Sequence, residues 1–218
     1  MVSNSAIIIF TRYPEPGLTK TRLISELGPE GAARFHKNLV ERMVEIVRSF
    51  INNKPIKLII SFNHSDTKQI KNWLGSKIIY HKQSGDNLGG KISSNFKQVL
   101  KSGVDKAILI GTDIPEISPK HLNIALTTLK NHDTVLGPAS DGGYYLIGMN
   151  RDSYSPKLFQ NINWGRAGVL NQTLNKIIDL GSDYYLMDKL NDIDTPEDLK
   201  KLKQRKPKLY SEIMKGEN

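Results

Sequence analysis

Four segments place reactive side chains at spacings that chemistry can use. The first runs Thr11-Arg12-Tyr13-Pro14-Glu15-Pro16-Gly17-Leu18-Thr19-Lys20-Thr21-Arg22-Leu23, and it sets Arg12, Lys20 and Arg22 around one Pro/Gly turn. Phosphates are held by positive charge and by free backbone N–H groups, and each proline removes one such donor. The three cations would therefore supply most of the attraction, with Gly17 allowing the turn. The glycine spacing fits neither a Walker loop nor a dinucleotide fingerprint, and an exposed basic loop without a ligand is the alternative. The second segment is Ile108-Leu109-Ile110-Gly111-Thr112-Asp113-Ile114-Pro115. A carboxylate directly after a buried apolar run is well placed for a ligand and poorly placed for packing. Magnesium typically sits on one or two carboxylates together with substrate phosphates, so Asp113 is the candidate centre of the site, with Thr112 beside it. Otherwise Asp113 only caps the turn before Pro115.

The third segment is Gly137-Pro138-Ala139-Ser140-Asp141-Gly142-Gly143-Tyr144-Tyr145-Leu146-Ile147-Gly148. Asp-Gly is a common turn, yet two glycines after an acid also let backbone approach a ligand closely. Asp141 is thus a candidate general base or acceptor-side carboxylate. The fourth is Asn191-Asp192-Ile193-Asp194-Thr195-Pro196-Glu197-Asp198-Leu199. It makes a complete helix start by itself, with a cap, a proline and acids in the first turn; Asp192 and Asp194 precede the cap and could reach a cation. The Gly-rich stretch Gln83 to Lys91, which contains Gly89, reads either as a base or ribose contact or as an ordinary loop before a helix.

The elements that must position these residues alternate along the chain. Continuous apolar runs at Ala6–Phe10, Ile56–Phe62 and Ala107–Ile110 read as buried strands, with shorter ones at Ile78–His81, Thr134–Leu136, Tyr144–Ile147 and Asp183–Met187. Between them lie helical patterns. After Gly28-Pro29, Ala32, Phe35, Leu39, Met43, Ile46 and Phe50 recur at spacings of three and four. Thr67–Leu74, Lys91–Lys101 and Ala167–Leu180 are further helices, and Ser118-Pro119 opens another with a cap and a first-turn proline. Strand–helix alternation predicts a three-layer α/β/α, Rossmann-like fold with a mostly parallel sheet. Ligands in such folds bind outside the carboxyl ends of the strands, and three of the four segments directly follow a strand.

Taken in order, Pro-x-Pro-Gly-x-x-Lys-Thr-Arg-Leu, Gly-Thr-Asp-x-Pro, Gly-Pro-Ala-x-Asp-Gly-Gly-Tyr-Tyr-Leu-Ile-Gly and Asp-x-Asp-Thr-Pro-Glu-Asp-Leu resemble one group. It is the radical-SAM/selenodomain-associated transferases, also described as arsenosugar-biosynthesis glycosyltransferases, within the nucleotide-diphospho-sugar transferase superfamily of GT-A fold. The resemblance runs from about Ile7 to Leu202. It implies that Asp113 holds Mg²⁺ or Mn²⁺ against a diphosphate, with Asp194 as second metal ligand. It also implies that Arg12, Lys20 and Arg22 lie along the phosphates and that Asp141 sits near the acceptor. Gly89 and Thr112 complete the expected nucleotide-binding set. The sequence departs from the group at Gly90-Lys91, where an acid and an arginine usually follow Leu-Gly. It departs again at Arg166, where a small hydroxyl residue usually follows Trp-Gly.

Composition bounds the rest. The 218 residues suffice for one sizeable α/β domain, expected over residues 1–205 with a loosely attached basic tail at 206–218. The absence of cysteine excludes disulfides, thiolate zinc sites and cysteine nucleophiles. No apolar run reaches the roughly 20 residues of a membrane helix, nothing reads as a signal peptide, and the expected location is cytoplasmic. The net charge of +9 fits either a solvated lysine-rich surface or an anionic partner. Nucleic acid is not expected, because the C-terminal basic run lacks interleaved aromatics. The reading is a metal-dependent glycosyltransferase taking a nucleotide-sugar donor and a small-molecule acceptor. The alternative is a nucleotidyltransferase joining an NTP to a phosphorylated small molecule with release of pyrophosphate.

Overall fold

The computed structural model describes residues 4–215. Its strands are β1 (Ser5–Arg12), β2 (Ile56–Asn63), β3 (Ile79–Lys82), β4 (Lys106–Gly111), β5 (Thr134–Pro138), β6 (Tyr144–Asn150) and β7 (Tyr184–Leu186). Its helices are α1 (Ile24–Ile51), α2 (Thr67–Leu74), α3 (Leu88–Lys101), α4 (Pro119–Thr128), α5 (Val169–Asp179), α6 (Pro196–Arg205) and α7 (Pro207–Ile213). The strands form one sheet in the order β3-β2-β1-β4-β6-β5-β7. Only β6 runs against its neighbours, pairing antiparallel with both β4 and β5; β1, β2, β3 and β4 are mutually parallel, and β5 is parallel to β7. The predicted α/β/α architecture is therefore present.

The middles of the central strands, Ala6–Phe10 in β1 and Ala107–Ile110 in β4, are continuously apolar because both faces are covered. Ile7 and Ile9 pack under α1, α2 and α4, whereas Ala6 and Ile8 pack under α3 and α5. In α1, Gly28 leaves the helical region with φ of 69°, and Pro29 restarts the helix at the boundary read from the sequence. Gln83 donates from Nε2 to the carbonyls of Thr11 and Ser61, at 3.0 and 3.1 Å, and so clasps the carboxyl ends of β1 and β2.

Two expectations need correction. The Gly-rich stretch before Lys91 is not wholly loop: α3 begins at Leu88, because the Asn87 side chain accepts from the Gly90 N–H at 2.9 Å and caps the helix. Residues after 206 are not a loose tail up to the last described position. The segment from Pro207 forms α7, and it buries Ile213 and Met214 in a third apolar cluster with Leu23, Phe35, Leu39, Leu199 and Leu202. Asn38 on α1 donates to the Ile213 carbonyl at 2.6 Å. The basic character of the run hid the apolar spacing of Leu209, Tyr210 and Ile213. Among the described residues no helix is long and apolar enough to cross a membrane.

Candidate active site

The loop after β1 builds itself before it meets any other element. Thr19, buried, donates its hydroxyl to the Tyr13 carbonyl at 3.2 Å and accepts from the Glu15 N–H at 3.1 Å. Closing the loop this way leaves Lys20 in the left-handed region, φ 50° and ψ 45°, a conformation costing a non-glycine residue roughly 1–2 kcal/mol. The outcome is directional: the Lys20 side chain, only 6% exposed, turns into the carboxyl edge of the sheet. Its ammonium lies 2.6 Å from Asp113 Oδ1, 2.7 Å from Asp194 Oδ1 and 2.6 Å from the Ile193 carbonyl oxygen.

Asp113 follows β4 as the apolar run required. The segment before α6 is tied to it by the Ile193 N–H, which donates to the Asp113 carbonyl at 3.0 Å. Asp198 and Thr195 form the capping box of α6, so the helix start satisfies itself and leaves Asp194 for Lys20. The segment is thus a complete helix start that also sets Asp194 against the Lys20 ammonium, while Asp192 meets no cation among the described residues. Confinement in the cleft raises the Asp113 pKa, but the Lys20 ammonium outweighs it, with smaller help from His36 and Arg12. The net result is a carboxyl held below its usual range.

A cavity of about 800 Å³ opens over this edge. Of the candidate site residues read from the sequence it is lined by Arg12, Lys20, Arg22, Thr112, Asp113, Asp141, Asp192 and Asp194; Gly17 and Gly89 do not line it. Gly17 serves the turn, with φ of 79°. Gly89 serves packing, since a Cβ there would meet Trp164 Nε1 at 2.4 Å and the Phe159 carbonyl at 2.5 Å. Asp141 accepts from the Gly143 N–H at 2.8 Å inside its turn. Gly142 (φ 90°) is pressed so near the Ala167-Gly168 backbone that a Cβ would lie 3.2 Å from the Gly168 nitrogen. This close approach brings the loop carrying Arg166 against the loop carrying Asp141.

Five cations (Arg12, Lys20, Arg22, Lys91 and Arg166) and four carboxylates (Asp113, Asp141, Asp192 and Asp194) line the cavity. Only Lys20 is ion-paired; Arg12, Arg22, Lys91 and Arg166 have no carboxylate partner among the described residues. Asp192 accepts from the Ser140 hydroxyl at 2.7 Å. Its pKa is raised, first by desolvation and further by Asp141 and Asp194, against the lowering by Ser140.

Sequence reasoning missed His36, which lies among the buried positions of α1 and faces the cavity floor. Its Nε2 is 3.2 Å from the Arg12 carbonyl oxygen and 3.4 Å from the Thr11 hydroxyl. Burial lowers its pKa to about 4, so at neutral pH the ring is uncharged and Nε2–H donates to Arg12. The available signal was a histidine inside the apolar stripe, one residue after Phe35. Leu18 and Leu88, both exposed, also line the cavity and give it two apolar faces of the kind a base could cover.

The acids suit a hard divalent cation. Asp113 and Asp194 converge on one ammonium through one oxygen each, and their second oxygens have no partner among the described residues. Two carboxylate oxygens with substrate phosphates and water would complete a magnesium sphere. No group of three or more acids, histidines or cysteines that could hold a metal occurs among the described residues, so the protein's own donors would be these two.

Comparison with known proteins bears on the family and the fold. Residues 46–166, more than half of the chain, match the family described as "uncharacterized protein conserved in bacteria" (DUF2064). A crystal structure from Desulfovibrio desulfuricans G20, provisionally described as a nucleotide-diphospho-sugar transferase, superposes with a TM-score of 0.88 at 32% identity. That match covers 97% of this chain and 94% of the other. The 2-phospho-L-lactate guanylyltransferase of Methanocaldococcus jannaschii is 27% identical over 184 residues, 83% of this chain and 75% of that protein. The inositol-1-phosphate CTP transferase of T. maritima shares the fold, with a TM-score of 0.54 at 18% identity over 99% of this chain and 98% of the other. The sequence-based family assignment therefore holds at the level of nucleotide-diphospho-sugar transferase-like proteins. The chain belongs to the DUF2064 family and is a transferase with the nucleotide-diphospho-sugar transferase-like fold.

Proposed function

We propose that this chain is a nucleotidyltransferase that joins the nucleoside monophosphate part of an NTP to a phosphorylated small molecule. The observation that carries this reading is the placement of four cations without a carboxylate partner around the cavity, Arg12 and Arg22 at the end of β1 and on the segment after it, Lys91 on α3 and Arg166 on the loop before α5. Cations on three separate segments can meet two phosphate-bearing substrates at once, a triphosphate and an acceptor phosphate. The likeness to guanylyltransferases over 83% of the chain adds support and makes GTP the first nucleotide to test. The scarcity of glycines in the first loop, which speaks against a triphosphate cradle, carries less weight here, since side chains rather than backbone amides supply the positive field.

An acceptor phosphate oxygen attacks the α-phosphorus of the NTP, the bond from that phosphorus to the α,β-bridging oxygen breaks, and pyrophosphate leaves with the electron pair. Arg12, Arg22 and Lys91 hold the phosphates in line, and Arg166 meets the acceptor. Asp113 and Asp194 would hold Mg²⁺ or Mn²⁺, which when bound offsets the negative charge of the phosphates. Because a phosphate monoester loses its second proton near pH 6, the nucleophile is ready at neutral pH and needs no base.

Glycosyl transfer is the second reading, favoured by the description of the D. desulfuricans structure. It requires a base for the acceptor hydroxyl, and Asp141 would be that base. The arsenosugar association implied by the sequence resemblance belongs to this second reading. Thermal stability with Mn²⁺ against nucleoside triphosphates, diphosphates and nucleotide-sugars separates the two. A ligand at a hundred times its Kd stabilises by about 2.7 kcal/mol, or roughly 5–11 °C for a chain of this size. Shifts confined to one triphosphate support nucleotidyl transfer. Shifts with one diphosphate and its sugar overturn it in favour of glycosyl transfer.

A further inference from the structure

We propose that Lys20 is a resident cation with two positions. In the free protein it occupies the gap between Asp113 and Asp194, keeps free divalent metal out, and admits metal only as a nucleotide complex. This inference deepens the nucleotidyltransferase reading and rests on it.

The donor count carries the argument. An ammonium has three N–H groups, and those of Lys20 have three protein oxygens to meet, Asp113 Oδ1, Asp194 Oδ1 and the Ile193 carbonyl, all at 2.6–2.7 Å. None is left for a phosphate, whereas Arg12 and Arg22, near it in the chain, line the cavity without a carboxylate partner among the described residues. Lys20 is also the most enclosed of the three charged groups, with 6% of its side chain exposed against 48% for Asp113 and 38% for Asp194. A divalent cation arriving alone finds the shared side of both carboxylates already neutralised and a positive charge between them. A cation arriving on a triphosphate brings new acceptors for the ammonium. Lys20 can then exchange carboxylate oxygens for phosphate oxygens while the metal takes its former partners. A lysine suits such an exchange, being a compact charge on a flexible stem with freely rotating donors. Its left-handed backbone, set by the Thr19 loop, keeps the ammonium at the acid pair until those acceptors arrive.

The test compares wild type with Lys20→Met, which keeps the length of the stem and removes the charge, using Mn²⁺ alone as probe and electron paramagnetic resonance of the unbound ion as readout. The expected result is that Lys20→Met binds free Mn²⁺ at least tenfold more tightly than wild type. Adding a non-hydrolysable α,β-methylene GTP should tighten Mn²⁺ binding to wild type far more than to the variant. Equal or weaker binding of free Mn²⁺ by Lys20→Met overturns the proposal. Should circular dichroism show that the variant does not fold, the ¹⁵Nζ resonance of Lys20 in labelled wild type decides the matter. It should stay in place with millimolar Mg²⁺ and move when Mg²⁺ and the analogue are added together, and movement with Mg²⁺ alone overturns the exchange. Failure of the nucleotidyltransferase reading looks different: neither protein would bind the analogue, whatever the free-metal affinities.

Discussion

His36 makes the free protein's stability depend on pH in a direction and size that follow from its burial. The folded-state pKa is lowered from 6.5 to about 4 by desolvation, the largest influence, with Asp113 opposing and Lys20 assisting. About a unit or more above pH 6.5 the ring is neutral in folded and unfolded chains alike and contributes no pH dependence. Between 6.5 and 4 the unfolded chain takes up a proton that the folded chain refuses, so stability falls as the pH falls. One proton corresponds to a slope of about 1.4 kcal/mol per pH unit, and the whole window to roughly 3 kcal/mol. Denaturant unfolding of wild type and His36→Gln at half-unit steps from pH 7.5 to 4.5 measures it. Near pH 5 the variant should show a slope shallower by about 1 kcal/mol per unit, with the remaining slope coming from carboxylates common to both. Glutamine keeps an amide donor near the Arg12 carbonyl, so the difference reports the proton and not the loss of the hydrogen bond. Identical slopes would refute the reasoning and mean that the imidazole is hydrated or charged in the folded protein.

Other consequences are local. Asp141→Asn should leave nucleotidyl transfer within a few-fold of wild type, because a phosphate nucleophile needs no base, and kcat with a phosphorylated acceptor checks it; a loss of 10²-fold or more would return the chemistry to a hydroxyl acceptor. Gly142→Ala forces a side chain into a left-handed turn against the Gly168 nitrogen and should cost about 1–3 kcal/mol in unfolding free energy. Ile213→Ala should cost about 2–4 kcal/mol if α7 is packed as described, and a value near zero in denaturant melts would return that segment to a loose tail.

Much of this was legible in the sequence because it is local. The apolar runs of β1, β2 and β4 fix a doubly covered sheet, and Asp113, directly after β4, has no position open to it except the carboxyl edge. Thr195-Pro196 announces α6, which in turn fixes Asp194. What was not legible depends on pairs far apart in the chain. Lys20 reads as one more loop cation until the fold sets it beside an acid 174 residues away. Gly89 reads as a ligand-facing glycine, and only the placement of Trp164 turns it into a packing position. His36 hides within an apolar stripe, and α7 hides behind a basic run that belongs mostly to α6 and contributes only Lys208 to α7 itself.

The most direct test is the reaction itself. ³¹P NMR can follow GTP and 2-phospho-L-lactate, the acceptor named for the guanylyltransferase relatives, with Mg²⁺ and wild type or Asp113→Asn protein. Nucleotidyl transfer gives pyrophosphate and a new diphosphate diester in equal amounts, lost by at least 10²-fold in the variant. No pyrophosphate from any triphosphate and phosphorylated acceptor, alongside a nucleoside diphosphate released from a nucleotide-sugar, would contradict it.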